Sequence, residues 1–96
     1  MQYRIIFSAY INNTGTDTKQ QDIIKYLNKL SKINNIDGYS LNNQVGYWQG
    51  TNETSYILDL IDVTKNKASK IAKNIKKHYQ QDAVILQPVK ITSEFI

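Results

Sequence analysis

Apolar and polar residues alternate along four stretches of the chain, and a period of two is typical of β-strands that bury one face. The four predicted strands cover, in chain order, residues 3–11, 39–48, 54–63 and 83–89, the last continuing towards Phe95. On the first strand Tyr3, Ile5, Phe7, Ala9 and Ile11 lie on the better core face. A turn at residues 50–52 is predicted to join the second and third strands.

Two other stretches repeat apolar residues every three or four positions, which is typical of amphipathic helices. The first predicted helix begins near Thr16 or Asp17, either of which can cap free backbone N–H groups, and ends near Asn34 and Asn35. Its apolar stripe consists of Ile23, Ile24, Leu27, Leu30 and Ile33. The second predicted helix covers residues 65–79, with Thr64 as its N-cap. Its buried stripe consists of Ala68, Ile71, Ala72, Ile75 and Tyr79.

The order of elements, β-α-β-β-α-β, predicts an α+β fold with a four-stranded antiparallel sheet and both helices on one face. In this ferredoxin-like arrangement the first and third strands are central, and the second and fourth are edges. The polar middle of the second strand, residues 42–44, and Pro88 in the fourth both suit edge strands. All 96 residues are expected to form a single domain, residues 1–96.

Composition narrows the class of protein further. The chain has no cysteine, so a disulfide framework is excluded. Its apolar runs are too short for a signal peptide or a membrane span, which predicts a cytoplasmic protein of a bacterial host with no membrane partner. Richness in Asn, Lys and Ile indicates an AT-rich coding source, such as a low-GC bacterium or its phages and plasmids. The net charge of +4 is compatible with an acidic partner.

Residues 36–95 resemble a family of small bacterial proteins that carries only the label "domain of unknown function". The matching residues are Gly38-Tyr39, Gly46-Tyr47-Trp48, Glu53-Thr54-Ser55, Tyr79, Gln81-Asp82-Ala83-Val84 and Phe95. The resemblance implies a ferredoxin-like fold and no particular function. Many members look exported, whereas this chain lacks a signal peptide, so their localisation does not carry over.

The sequence contains no recognisable catalytic constellation. His78 is the single histidine of the chain. It lies near the C-terminus of the second predicted helix, where a favourable interaction with the helix macrodipole explains its presence more simply than catalysis does. With no cysteine and no second histidine, the common zinc sites are excluded, and no glycine-rich phosphate loop is present. Glu53, Asp59 and Asp62 could form an acid/base or cation site, but more often such residues keep a sheet face soluble. We therefore expect a non-enzymatic protein with no catalytic residue, metal or cofactor.

One face of the predicted sheet is the first candidate binding surface. In the third strand Tyr56, Leu58 and Leu60 alternate with a set that contains Asp59, which marks that second set as the open face. The predicted partner-binding residues on this face are Arg4, Tyr10, Gln44, Trp48, Glu53, Ser55 and Asp59. Aromatic side chains among polar neighbours are typical of binding hot spots. The alternative for Trp48 is a packing role in the hairpin.

The second helix supplies the other candidate surface. Its lysines, with no acid among them, can form a solvent-facing stripe that tracks a phosphate backbone. The stripe consists of Lys67, Lys70, Lys73, Lys76 and Lys77. The alternative is that these lysines only solubilise the helix. The signature of RNA-recognition sheets is absent.

These observations favour a small binding protein of a phage or other mobile element that occupies a protein partner, for example as an inhibitor of a host-defence nuclease such as a CRISPR effector. Two alternatives stay open. One is direct nucleic-acid binding through the lysine stripe, and the other is a small ligand on the sheet face near Tyr10, Trp48 and Glu53. A homodimer is compatible with all three because exposed strand edges can pair.

Overall fold

A computed structural model describes residues 2–8, 10–11, 16–17 and 19–90, with the side chains at positions 10, 11, 16, 17, 48 and 51 outside the description. In chain order the elements are β1 Gln2–Ser8, β2 Tyr10–Ile11, β3 Thr16–Asp17, α1 Gln20–Asn34, β4 Gly38–Trp48, β5 Thr51–Ile61, α2 Lys65–His78 and β6 Ile85–Val89. The predicted continuation of the last strand to Phe95 lies outside the described residues. Within the described part, neither helix has the length and apolarity needed to cross a membrane.

Strands β1, β4, β5 and β6 form one antiparallel sheet in the order β4-β5-β1-β6. With α1 and α2 between the strands, this is the predicted α+β ferredoxin-like fold. The two predicted edge strands are confirmed. β4 lies at one edge of the sheet, so its polar middle pairs with β5 alone. β6 lies at the other edge beside β1, and an edge strand tolerates Pro88, which has no backbone N–H to donate.

The core lies between the sheet and the helices. Alternation buries Tyr3, Ile5 and Phe7 on β1, and their register places them beside the buried side chains of β5. The predicted set on β5 and the whole predicted stripe of α2 are confirmed as buried. These residues are Tyr56, Leu58, Leu60, Ala68, Ile71, Ala72, Ile75 and Tyr79. Burial of these apolar groups is the main stabilising term of a domain this small.

The stripe of α1 is narrower than predicted. Ile23, Leu27 and Leu30 are buried, but Ile24 is 37% exposed and Ile33 is 61% exposed. The turn that would bury Ile33 instead buries Asn34, whose Nδ2 donates to the Leu30 carbonyl at 2.9 Å. The prediction for Ile24 and Ile33 is wrong because the sheet covers a narrower arc of the helix than five apolar residues occupy.

The start of α1 and the end of the first strand also differ from prediction. β1 ends at Ser8, and Tyr10–Ile11 pairs with Thr16–Asp17 in a separate two-stranded sheet. Thr16 and Asp17 therefore do not cap the helix, which begins at Gln20 behind Lys19 without a side-chain cap. Two-residue strands have no periodicity, so the sequence pattern does not reveal them.

Three other boundaries follow from local chemistry. Thr64 caps α2 as predicted, its Oγ1 accepting from the Lys67 N–H at 3.2 Å. Asn35 ends α1 as predicted, with φ of 54°, and asparagine tolerates this left-handed conformation better than most residues. The β4–β5 turn is Gln49-Gly50 rather than residues 50–52. Both have positive φ, as a two-residue hairpin turn requires.

Candidate functional site

We call the side of the sheet that faces away from the helices the outer face. The strand register identifies the residues that lie on it. Residues that pair across antiparallel strands point to the same side, so each pair is a rung of one face. On β5 the outer-face positions are Thr51, Glu53, Ser55, Ile57, Asp59 and Ile61. Of the predicted binding residues, Arg4, Gln44, Trp48, Glu53, Ser55 and Asp59 occupy outer-face positions. Tyr10 lies in β2, outside the main sheet, so its predicted place on this face is wrong.

Arg4 and Asp59 form a paired rung near the middle of the outer face. The Arg4 Nε donates to Asp59 Oδ1 at 2.8 Å, and Nη2 donates to Oδ2 at 3.3 Å. The Asp59 side chain is 12% exposed and the Arg4 side chain 38% exposed. The hydrogen bond to Asp59, followed by its charge, raises the pKa of Arg4. The carboxylate is thus held by its neighbour, and both groups are positioned by strand pairing.

Next to this pair lies an apolar rung whose residues are not among the predicted binding residues. Ile57 pairs with Ile6, and Ile6 pairs with Ile85, across three adjacent strands. Ile85 is exposed, whereas Ile6 and Ile57 are partly buried. Alternation alone assigns Ile6 to the outer face, but only the register of β6 aligns the three side chains. The outer face therefore combines a charged rung with an apolar one.

A polar rung follows at the end of β1. Ser55 pairs with Gln44 on one side and with Ser8 on the other. The Ser8 backbone N–H donates to Gln81 Oε1 at 2.9 Å, and Gln81 Nε2 donates to the Tyr79 carbonyl at 3.1 Å. Gln81 is buried and ties the end of β1 to the end of α2. Nothing local in the sequence indicates the long-range bond from Ser8 to Gln81.

Beyond Ser55, β4 and β5 continue past β1 as a two-stranded ribbon. The last pair between β1 and β5 is Ser8 with Ser55, whereas β4 and β5 remain paired as far as Trp48 and Thr51. Tyr47 on the other side of this ribbon is 74% exposed. Glu53 is exposed, and its position is diagonal to that of Trp48 on the outer face. The ribbon thus presents a carboxylate beside an aromatic position, although the side chain of Trp48 lies outside the description.

The three carboxylates considered as an acid/base or cation site do not converge. Glu53 and Asp59 are six residues apart on one strand, which separates them by about 20 Å. Asp62 follows the strand in a left-handed conformation with φ of 54°. Among the described residues, no group of three His, Cys, Asp or Glu side chains is close enough to hold a metal ion. Glu53 and Asp59 therefore do not form a carboxylate pair.

His78 belongs to an aromatic group where the two helices meet. Its ring stacks on Tyr26 at a centroid distance of 3.8 Å and meets Tyr79 edge-on at 4.8 Å. Tyr79 also stacks on Phe7 at 5.9 Å. Burial is the first cause that raises the pKa of Tyr79, so its phenol stays neutral in the fold. These contacts connect the helices to the sheet.

The lysine stripe lies on the side of α2 away from the sheet. Lys70, Lys73, Lys76 and Lys77 are exposed, and Lys67 is partly buried, its Nζ donating to the Asn35 carbonyl at 3.4 Å. The stripe and the predicted sheet-face residues therefore occupy opposite sides of the molecule and cannot form one site.

Solved structures with a similar fold include two of phage SAM lyase. One, in its apo state, has a TM-score of 0.74 at 23% identity, covering 99% of this chain and 90% of that chain. Another, in complex with S-methyl-5'-thioadenosine, has a TM-score of 0.64 at 19% identity, covering 88% of this chain and 76% of that chain. A DUF3240 family protein from Shewanella baltica OS155 has a TM-score of 0.58 at 12% identity, covering 99% and 96%.

No protein-family model and no curated protein matches the chain. The similarity to the solved structures is one of fold. A small domain of unknown function is among these neighbours, which supports the predicted resemblance at that coarser level. The phage source of the SAM lyases fits the predicted phage origin.

The conclusion that the chain is not an enzyme is contradicted by this finding. The neighbour with a TM-score of 0.74 is a lyase. The conclusion rested on missing catalytic motifs, but such motifs identify only reactions that need a nucleophile, a metal or a general-base pair. A similar fold with a lyase activity shows that their absence does not exclude catalysis.

Proposed function

We propose that this chain is a lyase that cleaves S-adenosylmethionine (SAM) and releases S-methyl-5'-thioadenosine. The observation that carries the proposal is the fold match to phage SAM lyase, which extends over 99% of this chain and 90% of the other. Because the match covers nearly all of both chains, the described fold of this chain is shared with the greater part of the neighbour's chain. We therefore place the proposed activity in this fold.

The chemistry of SAM explains why such an enzyme needs no catalytic motif. Its sulfur is a sulfonium, and breaking the bond to the γ-carbon of the methionine portion releases a neutral thioether. The bonding electrons go to sulfur, so the leaving group needs no proton from an acid. The four-carbon fragment is completed either by its own carboxylate attacking the γ-carbon, giving a lactone, or by loss of a β-proton, giving an alkene. The first route requires only positioning and electrostatics.

The ribbon of β4 and β5 supplies the groups best suited to hold a sulfonium nucleoside. A carboxylate is the natural partner of the sulfonium charge, and an aromatic ring is suited to stack on adenine. Of the two outer-face carboxylates, Asp59 is already bound by Arg4, whereas Glu53 is exposed. We therefore assign the sulfonium contact to Glu53 and the adenine contact to the position of Trp48, diagonal to it.

The test is incubation of purified protein with SAM, followed by mass spectrometry of both products. We expect S-methyl-5'-thioadenosine together with one four-carbon product, a lactone or its hydrolysis product for the first route and an unsaturated amino acid for the second. Glu53→Gln should lower kcat/KM by about 10- to 100-fold, because the sulfonium would lose its counter-charge, an attraction of roughly 1–4 kcal/mol at close range. Asp37→Asn, which removes an exposed acid outside the outer face, is the matched control and should keep the rate.

Two results would contradict these assignments separately. If folded wild-type protein releases no S-methyl-5'-thioadenosine above a protein-free blank, the activity itself is wrong. If the wild type is active and Glu53→Gln has the rate of Asp37→Asn, the activity stands and the assignment of Glu53 is wrong. Far-UV circular dichroism of each variant shows that the fold is retained.

A further inference from the structure

Charge is divided unevenly between the helices and the rest of the molecule. α1 carries three lysines and one aspartate, and α2 carries six lysines and no acid. The helices thus hold nine of the twelve lysine and arginine residues of the chain and one of its eight acids. The net charge of +4 therefore conceals a strongly positive helical side and a negative remainder. Such segregation creates a field that attracts polyanions to one side of the molecule.

The lysines of α1 extend the stripe of α2 into a wider surface. Lys25, Lys29 and Lys32 are all exposed, and their spacing of four and three residues places them along one side of α1. The contacts between the helices show that they run side by side in opposite directions. Tyr26 of α1 contacts His78 at the end of α2, where its hydroxyl also donates to the Asn74 carbonyl at 3.3 Å. We call the exposed lysines of both helices the basic layer.

An open groove lies within the basic layer, where the end of α1 meets the start of α2. Its volume is about 300 Å³, and its lining residues are Ile33, Asn34, Asn35, Asn66, Lys67 and Lys70. The hydrogen bond from Lys67 Nζ to the Asn35 carbonyl, 3.4 Å, joins its two walls. The groove therefore combines ammonium groups with side-chain amides, which are hydrogen-bonding groups for phosphate and sugar oxygens.

We infer that the basic layer binds the phosphate backbone of nucleic acid without reading its sequence. From Lys67 to Lys77 the helix advances about 15 Å, the axial length over which one strand of a duplex presents roughly four phosphates. Lysine acts on phosphate as a point charge and positions a protein without distinguishing bases. Ile24 and Ile33 of α1 are the large apolar side chains that the described helices leave exposed, and two isoleucines do not form the wide apolar face of a membrane-binding helix.

The experiment is fluorescence anisotropy of labelled duplex DNA, single-stranded DNA and duplex RNA of mixed sequence, titrated at 50 and 200 mM salt. With about four phosphates contacted, affinity for duplex DNA should fall roughly 100-fold over this range. Lys70→Glu should reduce the salt slope by about 1, equally for two unrelated sequences. The matched control is Lys90→Glu, which removes an exposed lysine beyond β6 and should leave the slope unchanged.

Several results would overturn the inference. They are no binding to any of the three probes at 50 mM salt, an equal effect of Lys90→Glu and Lys70→Glu, and a dependence on base sequence that survives Lys70→Glu. Binding of anionic phospholipid vesicles without binding of nucleic acid would also overturn it and would assign the basic layer to a membrane surface. Far-UV circular dichroism of Lys70→Glu and Lys90→Glu serves as the folding control, so the result does not depend on the proposed lyase activity.

Discussion

Successive residues of β5 alternate between two environments. Leu58 and Leu60 are buried beneath the helices, whereas Ser55 and Ile57 on the outer face are partly exposed. The two faces of this one strand therefore respond differently to substitution. On the covered face a change of shape leaves a cavity, because the helices cannot follow it. On the outer face a change of shape is filled by solvent or by a ligand.

Two buried polar groups show that the division is not simply apolar against polar. Asp59 is a buried carboxylate on the outer face, held by Arg4. Gln81, which follows α2, is a buried amide beside the end of β1. It accepts a long-range hydrogen bond from the Ser8 N–H and donates a local one to the Tyr79 carbonyl, so both buried groups are satisfied. The covered face therefore determines stability, whereas the outer face is open to a ligand.

The largest expected effect is a difference in the free energy of unfolding between alanine variants of two adjacent residues of β5. Leu58→Ala removes a side chain with 0% exposure from the centre of the core and should lower the free energy of unfolding by about 2–5 kcal/mol. Ile57→Ala, the matched change on the outer face, should lower it by about 1 kcal/mol because less area leaves the solvent on folding. Urea denaturation of both variants provides the comparison. Equal losses would show that the outer face is as tightly packed as the covered one.

A smaller effect is expected at the buried amide. Gln81→Met keeps the approximate volume of the side chain but removes the acceptor of the Ser8 N–H, which should cost about 1–2 kcal/mol. Gln87→Met, an exposed glutamine of β6, is the matched control and should change stability by about 0.5 kcal/mol or less. Urea midpoints measure both. A loss for Gln81→Met no larger than the control would mean that the bond between β1 and Gln81 contributes nothing to stability.

The smallest effect appears only at alkaline pH. Burial raises the pKa of Tyr79 far above the ordinary value of 10.0, so above pH 10 the unfolded chain releases a proton that the folded chain keeps. The stability from this group is therefore fully present below pH 10 and is lost as pH rises, by up to about 1.4 kcal/mol per pH unit. Tyr79→Phe keeps the stack on Phe7 and should lose less stability between pH 10 and 11 than the wild type. Identical losses would contradict the assignment of this pH dependence to Tyr79.

Much of the fold could be predicted because its signals are local and repeated. The alternation of β1 and β5 and the stripe of α2 each involve several consecutive residues, so one misleading position changes little. The N-cap at Thr64 and the end of α1 at Asn35 depend on the chemistry of single residues at fixed offsets. The errors occurred where the signal is short or depends on a neighbour, as at Thr16–Asp17 and at Ile33.

The outer-face site could be predicted only in part. Alternation placed Glu53, Ser55 and Asp59 on one side, but it gave no pairing across strands. The salt bridge of Arg4 with Asp59 and the rung of Ile6, Ile57 and Ile85 depend on register between distant segments. The expectation of a non-enzyme is contradicted by the fold shared with a lyase. Under the proposed function the reason is chemical, because a reaction driven by the substrate's own leaving group requires no catalytic motif.

The residue pattern alone sets the order of the elements, the two faces of the sheet and the sign of the charge on the helices. These properties follow from residue spacing, and spacing is a property of the chain before it folds. The tertiary structure alone decided which polar groups meet, as with Ser8 and Gln81, and which apolar residues stay exposed, as with Ile33. It also laid α1 against α2, so that both lysine-rich helices lie on one side of the sheet. Contacts between segments far apart in the chain depend on packing of the whole core, and no local pattern encodes them.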